Sequence, residues 1–182
     1  MEHYFVNHCS PTLAGLKTAS LFSCPIDSES ELNTYLSKVN GYLNYKDVFV
    51  EVMRVKRNRA LILVYRKNML KSELLNKSIS DFLTLCGYNC SSVPKCIDYL
   101  KERFSGNDDF PHEIGVFLGY PLEDVIGFIE NAGKNSRRSG CWKVYGNDCK
   151  AIKLFERYKK CREIYMKLFS NGKSIVQLTV AA

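Results

Sequence analysis

The chain has 182 residues and a mass of 20.8 kDa, with 26 Lys or Arg against 19 Asp or Glu, a formal charge of +7 and a pI near 8.9. Apolar residues make up 46% and charged residues 25%, which excludes a disordered chain and suits one globular domain over residues 1–182 with a sizeable core. The longest stretch without a charged or strongly polar residue, Ile114–Leu122, has 9 residues, against the roughly 20 that a membrane-spanning helix needs.

In chain order, Met1–His8 has neither a basic nor an apolar leader, so no secretory signal is expected. His8-Cys9-Ser10-Pro11-Thr12 reads as extended chain, followed by a turn at Gly15 and a short strand ending near Phe22. Pro25 and Asp27-Ser28 break that strand. A helix then runs to about Leu43 with Leu32, Tyr35, Leu36, Val39, Tyr42 and Leu43 as its buried stripe. Val48–Met53 alternates, and Ala60–Tyr65 is uniformly apolar. These two segments predict an antiparallel hairpin whose second strand is central and covered on both faces. Helices are expected at 68–77, 79–86 (capped by Gly87) and 93–104, and a helix pair at 111–131 is joined by Gly119-Tyr120-Pro121. Trp142–Tyr145 reads as a strand. Asp148 is expected to cap a helix running to Phe169 that packs on the sheet, with Ala151, Leu154, Phe155, Tyr158, Cys161, Tyr165, Leu168 and Phe169 inward. Ile175–Val180 alternates as a final strand. The expected fold class is α/β: one layered domain, a mixed sheet with a central antiparallel hairpin, and several packing helices.

Eight cysteines at 9, 24, 86, 90, 96, 141, 149 and 161 lack the paired C-x2–4-C knuckles of structural zinc, so no metal site is read. In a chain of this size without an export signal they are expected to be free thiols, mostly buried, in a cytoplasmic protein. The charge is concentrated late: Lys134–Lys173 holds twelve basic residues and three acids. Such a segment fits an anionic partner, or a solvated helix face.

The helix pair at 111–131 is unsuited to DNA, because its second helix carries Glu123, Asp124 and Glu130 and no base. His112 and Glu113 fall at a helix start, where the macrodipole favours the anion and keeps a neighbouring His neutral. That makes His112 and Glu113 candidates for proton transfer, or an exposed capping pair. Cys9 is a candidate nucleophile if a base reaches it, with His112 the long-range partner; the alternative is a packed thiol. Gly15-Leu16-Lys17-Thr18 lacks the phosphate-loop frame and leaves only a generic anion-binding turn, with Thr12 and Lys17 beside it. Gly133–Lys143 joins glycines, cations and Trp142, a composition that suits a nucleotide, a flavin or another planar anion, and equally an exposed loop anchored by one Trp.

The segments His8–Lys17 (HCSPTLAGLK), Leu21-Phe22, Phe110–Val125 (FPHEIGVFLGYPLEDV) and Trp142–Gly146 (WKVYG) resemble a bacterial family found mainly in anaerobic Gram-positive organisms and described only as a domain of unknown function. The resemblance covers nearly the whole chain, with Phe-Pro-His-Glu-Ile-Gly its most specific stretch. It implies a cytoplasmic, single-domain protein and supplies no activity, cofactor or catalytic residue.

The expected site is formed by residues 8–17, 110–113 and 134–145. Cys9, His112 and Glu113 are its catalytic candidates, and Thr12, Lys17, Arg138, Trp142 and Lys143 its ligand-binding candidates. Cys9, Lys17, His112, Glu113 and Lys143 are expected to converge on one cleft, since each lies near an element end where loops reach a common crevice. The expected ligand is a small anionic or redox-related molecule. The alternative is a nucleic-acid or protein-binding module that uses the basic 134–173 surface.

Overall fold

A computed structural model describes residues 1–89, 91–106 and 110–181. Its elements are α1 (Glu2–Leu13), β1 (Ala19–Pro25), α2 (Glu29–Leu43), β2 (Val48–Lys56), β3 (Arg59–Arg66), α3 (Lys67–Leu74), α4 (Lys77–Leu85), α5 (Val93–Ser105), α6 (Ile114–Phe117), α7 (Leu122–Glu130), β4 (Arg138–Ser139), β5 (Lys143–Val144), α8 (Asp148–Ser170) and α9 (Ile175–Leu178). The expected hairpin forms, with β3 central in a three-stranded sheet of order β1-β3-β2. Both pairings are antiparallel, so the main sheet is not mixed. The architecture is α/β, with helices packed over both sheet faces. Among the described residues no helix is long and apolar enough to cross a membrane.

Strand alternation sorts the core into two layers. Ala19, Leu63, Tyr65 and Met53 face a cluster completed by Leu83, Leu100, Phe104, Ile114 and Phe117 from α4, α5 and α6. Phe22, Val50, Ile62 and Val64 face the opposite way, onto Phe5, Cys9 and Leu13 of α1, Leu36 and Val39 of α2, and Ile175 of α9. The uniformly apolar run at 60–65 is explained by these two covers.

The structure departs from the sequence expectations at both ends of the chain. Residues 2–13 are helical although Pro11 lies inside the helix. Phe5, Val6, Cys9 and Leu13 recur at helical spacing, and a proline two residues from the helix end removes only one backbone bond there. Gly15, at φ +72°, then turns the chain so that Leu16 N–H reaches the Pro11 carbonyl at 2.8 Å. At the other end, Ile175–Leu178 is a helical turn, not a strand. Ser174 and Gln177 form a reciprocal capping box, and the buried pair is Ile175 and Leu178, three apart. Helix α8 packs on α1, not on the sheet, and Asn147 caps it in place of Asp148, accepting from Lys150 N–H at 3.0 Å. The short β4–β5 ladder takes only Lys143 and Val144 from the expected 142–145 strand, and Tyr42 and Leu168 of the expected stripes are exposed.

The expectation of eight free thiols is also corrected. Cys9, Cys24, Cys86, Cys141, Cys149 and Cys161 are free, but Cys96 is disulfide-bonded; Cys90 lies outside the described residues. Burial does not govern the set, since Cys141 and Cys149 are exposed while Cys96 is buried.

A buried arginine fastens the end of α1 to the end of the chain. Arg66, 2% exposed, donates Nε to Thr12 O at 2.7 Å, and Nη2 to Leu13 O at 2.7 Å and Val180 O at 2.8 Å. Lys46 Nζ likewise donates to Val176 O and Thr179 O at 2.7 and 2.8 Å. Cations at helix C-termini satisfy carbonyls that have no intrahelical partner. Arg66→Met removes three buried charge-assisted hydrogen bonds, to Thr12 O, Leu13 O and Val180 O, and is expected to cost about 3 kcal/mol of unfolding free energy. The denaturant midpoint measures it; an unchanged midpoint contradicts the fastening role.

Candidate functional site

Strand β1 is one edge of the sheet, and a two-lobed cleft lies along it. One lobe, a cavity of about 300 Å³, is lined by Phe110, His112, Leu118, Phe128, Trp142 and Lys143 among others. The other, of about 490 Å³, is lined by His8, Lys17, Phe155, Tyr158, Lys159 and Arg162 among others. Leu21, Leu118, Tyr120, Gly140 and Cys141 line both lobes. The volumes lie in the range of small-molecule sites.

The wall between the lobes is built from one buried carboxylate. Asp124 on α7, 3% exposed, accepts Trp142 Nε1–H at 2.7 Å, Tyr145 N–H at 2.7 Å and Gly146 N–H at 2.8 Å. A carboxylate saturated by three donors is a strong anchor, and it holds the 134–146 loop against α7. Trp142, so fixed, stacks on Tyr120 at 4.8 Å between centroids and meets Phe155 of α8 edge-on at 4.5 Å. Gly140 at the hairpin tip lies so close to Phe155 that a Cβ would fall 2.3 Å from the ring. Tyr120 offers its ring to Lys17, whose Nζ sits 5.0 Å from the centroid.

Lys17 is half-buried, and among the described residues it has no carboxylate partner. Burial lowers its ammonium to about 8, with Cys141 and Cys9 acting the other way. His8, exposed at the rim, is lowered by partial burial, then by the Arg162 charge and by His3; its ring stacks on Phe22 at 5.6 Å. Burial raises Cys141, while Lys17 and Arg162 oppose that, so both cations act on one thiol at the junction of the lobes.

The candidates named from sequence separate into two groups. Lys17, His112, Trp142 and Lys143 line the cleft. Cys9 and Glu113 do not. Cys9 is buried in the core layer beneath α1 and does not line the cleft, whereas His112 lines it, so the expected Cys9–His112 pairing is not formed. Helix α1 turns Cys9 inward to full burial, which raises its thiol strongly despite Lys17 and a hydrogen bond with Ser20. Glu113, 4% exposed, accepts from Tyr88 Oη and Arg103 Nε, both at 3.1 Å, and ties α5 to the turn before α6. His112 packs between the rings of Phe110 and Phe128. Thr12 Oγ1 and Ser20 Oγ lie 2.9 Å apart in the interior. Arg138 is exposed and lies 3.8 Å from Asp148. Lys143 donates to Gly133 O. Among the described residues no three His, Cys, Asp or Glu side chains group as metal ligands.

Sequence reasoning missed Asp124 as the anchor, Tyr120 as the ring beneath Lys17, and Lys159 and Arg162 as lining. A signal existed for the last two: Phe155, Tyr158, Lys159 and Arg162 recur at three- and four-residue spacing, which puts them on one helix face.

Two outcomes follow from this geometry. Asp124→Asn keeps the shape but removes the charge from three hydrogen bonds, and is expected to cost about 2 kcal/mol and red-shift the emission of Trp142, the single tryptophan. An unshifted spectrum contradicts the anchoring. Because burial lowers Lys17 from 10.5 to about 8, the unfolded chain binds more protons at this group between those values, and the group's destabilising contribution fades as pH rises through them. The stability of Lys17→Met relative to the parent should therefore be highest below pH 8 and decline toward pH 10.5; a pH-independent difference contradicts the burial of the ammonium.

No curated protein and no solved structure matches the chain. The family model described as "Protein of unknown function (DUF3793)" matches residues 5–179, and the chain belongs to that family.

Proposed function

We propose that the protein binds a small anionic ligand with an aromatic or apolar body in the cleft along β1. The observation that carries this reading is the basic lobe: Lys17, Lys159, Arg162 and His8 line it, with no Asp or Glu among its described lining residues. Cations gathered in a half-enclosed site without a protein counter-ion favour an anionic guest. The adjoining lobe supplies Phe110, Leu118, Phe128 and Trp142 for an apolar body, and His112 and Lys143 for polar contacts. Segments 8–17, 110–113 and 134–145 all contribute lining residues, while Cys9, Glu113, Thr12 and Arg138 act on the site through its frame.

We read the chain as a single domain, supported by one sheet that serves both core layers, and as cytoplasmic, supported by six free thiols among the described residues and opposed by the Cys96 disulfide. The alternative, a nucleic-acid or protein-binding surface, is favoured by the exposed cations Lys153, Arg157, Lys160 and Lys167 along α8. The cleft reading is preferred because a solvated helix face explains those residues without a partner.

The test is calorimetric titration of the protein with 2-naphthoate and with its neutral analogue 2-naphthalenemethanol. The carboxylate should bind at one site, about tenfold more tightly than the alcohol, and Arg162→Gln should abolish most of that difference, an effect of about 1.4 kcal/mol. Equal affinity for the two probes contradicts the reading. So does tight binding of single-stranded oligonucleotide that falls steeply with salt and is lost in Lys153→Gln/Arg157→Gln.

A further inference from the structure

Lys17 is the most enclosed cation of the basic lobe, half-buried where His8, Lys159 and Arg162 are exposed. It comes from the turn after α1, rests on the Tyr120 ring at 5.0 Å, and makes no hydrogen bond or ion pair with the described residues. A lysine that serves only to neutralise an anion gains nothing from burial, because an ammonium is held more easily in water. The groups facing it are Cys9 of α1 and Cys141 of the β4–β5 turn. Tyr158, Lys159 and Arg162 of α8, with His8 of α1, line the same lobe. None of these is a carboxylate.

We propose that Lys17 is a carbonyl-reactive amine, which forms an imine with an aldehyde or 2-oxo group on a small ligand whose acid group is held by Arg162 and Lys159. This rests on the cleft reading above and adds a covalent step to it. The nitrogen lone pair of neutral Lys17 forms the C–N bond while the carbonyl π pair moves to oxygen. The two amine protons then leave with that oxygen as water, giving the C=N bond with no oxidant or reductant. Desolvation, a recognised means of activating a lysine nucleophile, supports the step. With the group at about 8 and an ordinary lysine at 10.5, the free-amine fraction near neutrality is roughly two orders of magnitude above that of an exposed lysine. The Arg162 charge, in the same lobe, attracts the acid group. The aromatic lobe then receives the rest of the ligand against Trp142.

The probe is pyridoxal 5′-phosphate, which combines an aldehyde, a planar ring and a phosphate; pyridoxine 5′-phosphate carries the same ring and phosphate without the aldehyde. The protein is mixed with a stoichiometric amount of the aldehyde near pH 7.5, reduced with borohydride, and mapped by peptide mass spectrometry. The expected result is one dominant adduct on Lys17. Lys17→Arg should reduce total labelling about tenfold at a melting temperature near that of the parent. Arg162→Gln should slow labelling of Lys17 without redirecting it. If pyridoxine phosphate binds in the cleft but the label spreads over Lys153, Lys159 and Lys160 according to exposure, the imine proposal is overturned and the cleft reading stands. If neither compound binds and labelling is dispersed, both fall.

Discussion

The cleft depends on the Asp124 carboxylate and the three N–H groups it gathers. A charge with 3% exposure is tolerated only because each donor reaches it at 2.7 or 2.8 Å. From that point the order propagates by contact. The carboxylate orients the Trp142 indole, the indole stacks on Tyr120, and Tyr120 presents its ring to Lys17. A loop otherwise rich in glycine and cations is thereby a rigid wall shared by two lobes.

A second set of polar groups holds the scaffold to which that wall is fitted. Arg66 and Lys46 spend their hydrogen bonds on backbone carbonyls at helix ends, so these cations are structural despite the basic composition. Glu113 is neutralised by Arg103 and bonded by Tyr88. Arg66, Lys46 and Arg103, which meet carbonyls or a carboxylate, hold the fold, whereas Lys17 meets an aromatic ring and Lys159 and Arg162 meet solvent at the cleft.

The central hairpin, α2, α5, α7 and α8 were legible because each carries a long, clean periodicity. Helix α1 was not, since Pro11 and the polar run around it mask the Phe5–Cys9–Leu13 spacing, and its packing partners Phe22 and Ile175 are distant in sequence. The Ile175–Val180 alternation misled because a four-residue helix buries just two side chains, too few to override a period of two; the capping pair Ser174 and Gln177 was the better signal. For the site, the three contributing segments were found, but the direction of each side chain was not. Cys9 turns inward because its segment is helical, and Glu113 turns toward Arg103, a residue of another helix. Asp124, one of three acids on α7, was read only as a charge unfavourable to nucleic acid, because its donors lie about 20 residues away.

In the proposed anion-binding cleft, the wall made by Asp124, Trp142 and Tyr120 forms one side. The chain has a single tryptophan, so a ¹H–¹⁵N spectrum holds one indole N–H signal, and following it during titration with 2-naphthoate tests this arrangement most directly. The expected result is a slowly exchanging signal that moves progressively and saturates at one equivalent, together with the backbone signals of Lys17 and Cys141. A rapidly exchanging indole, or a signal that stays fixed while the carboxylate binds, would contradict the arrangement.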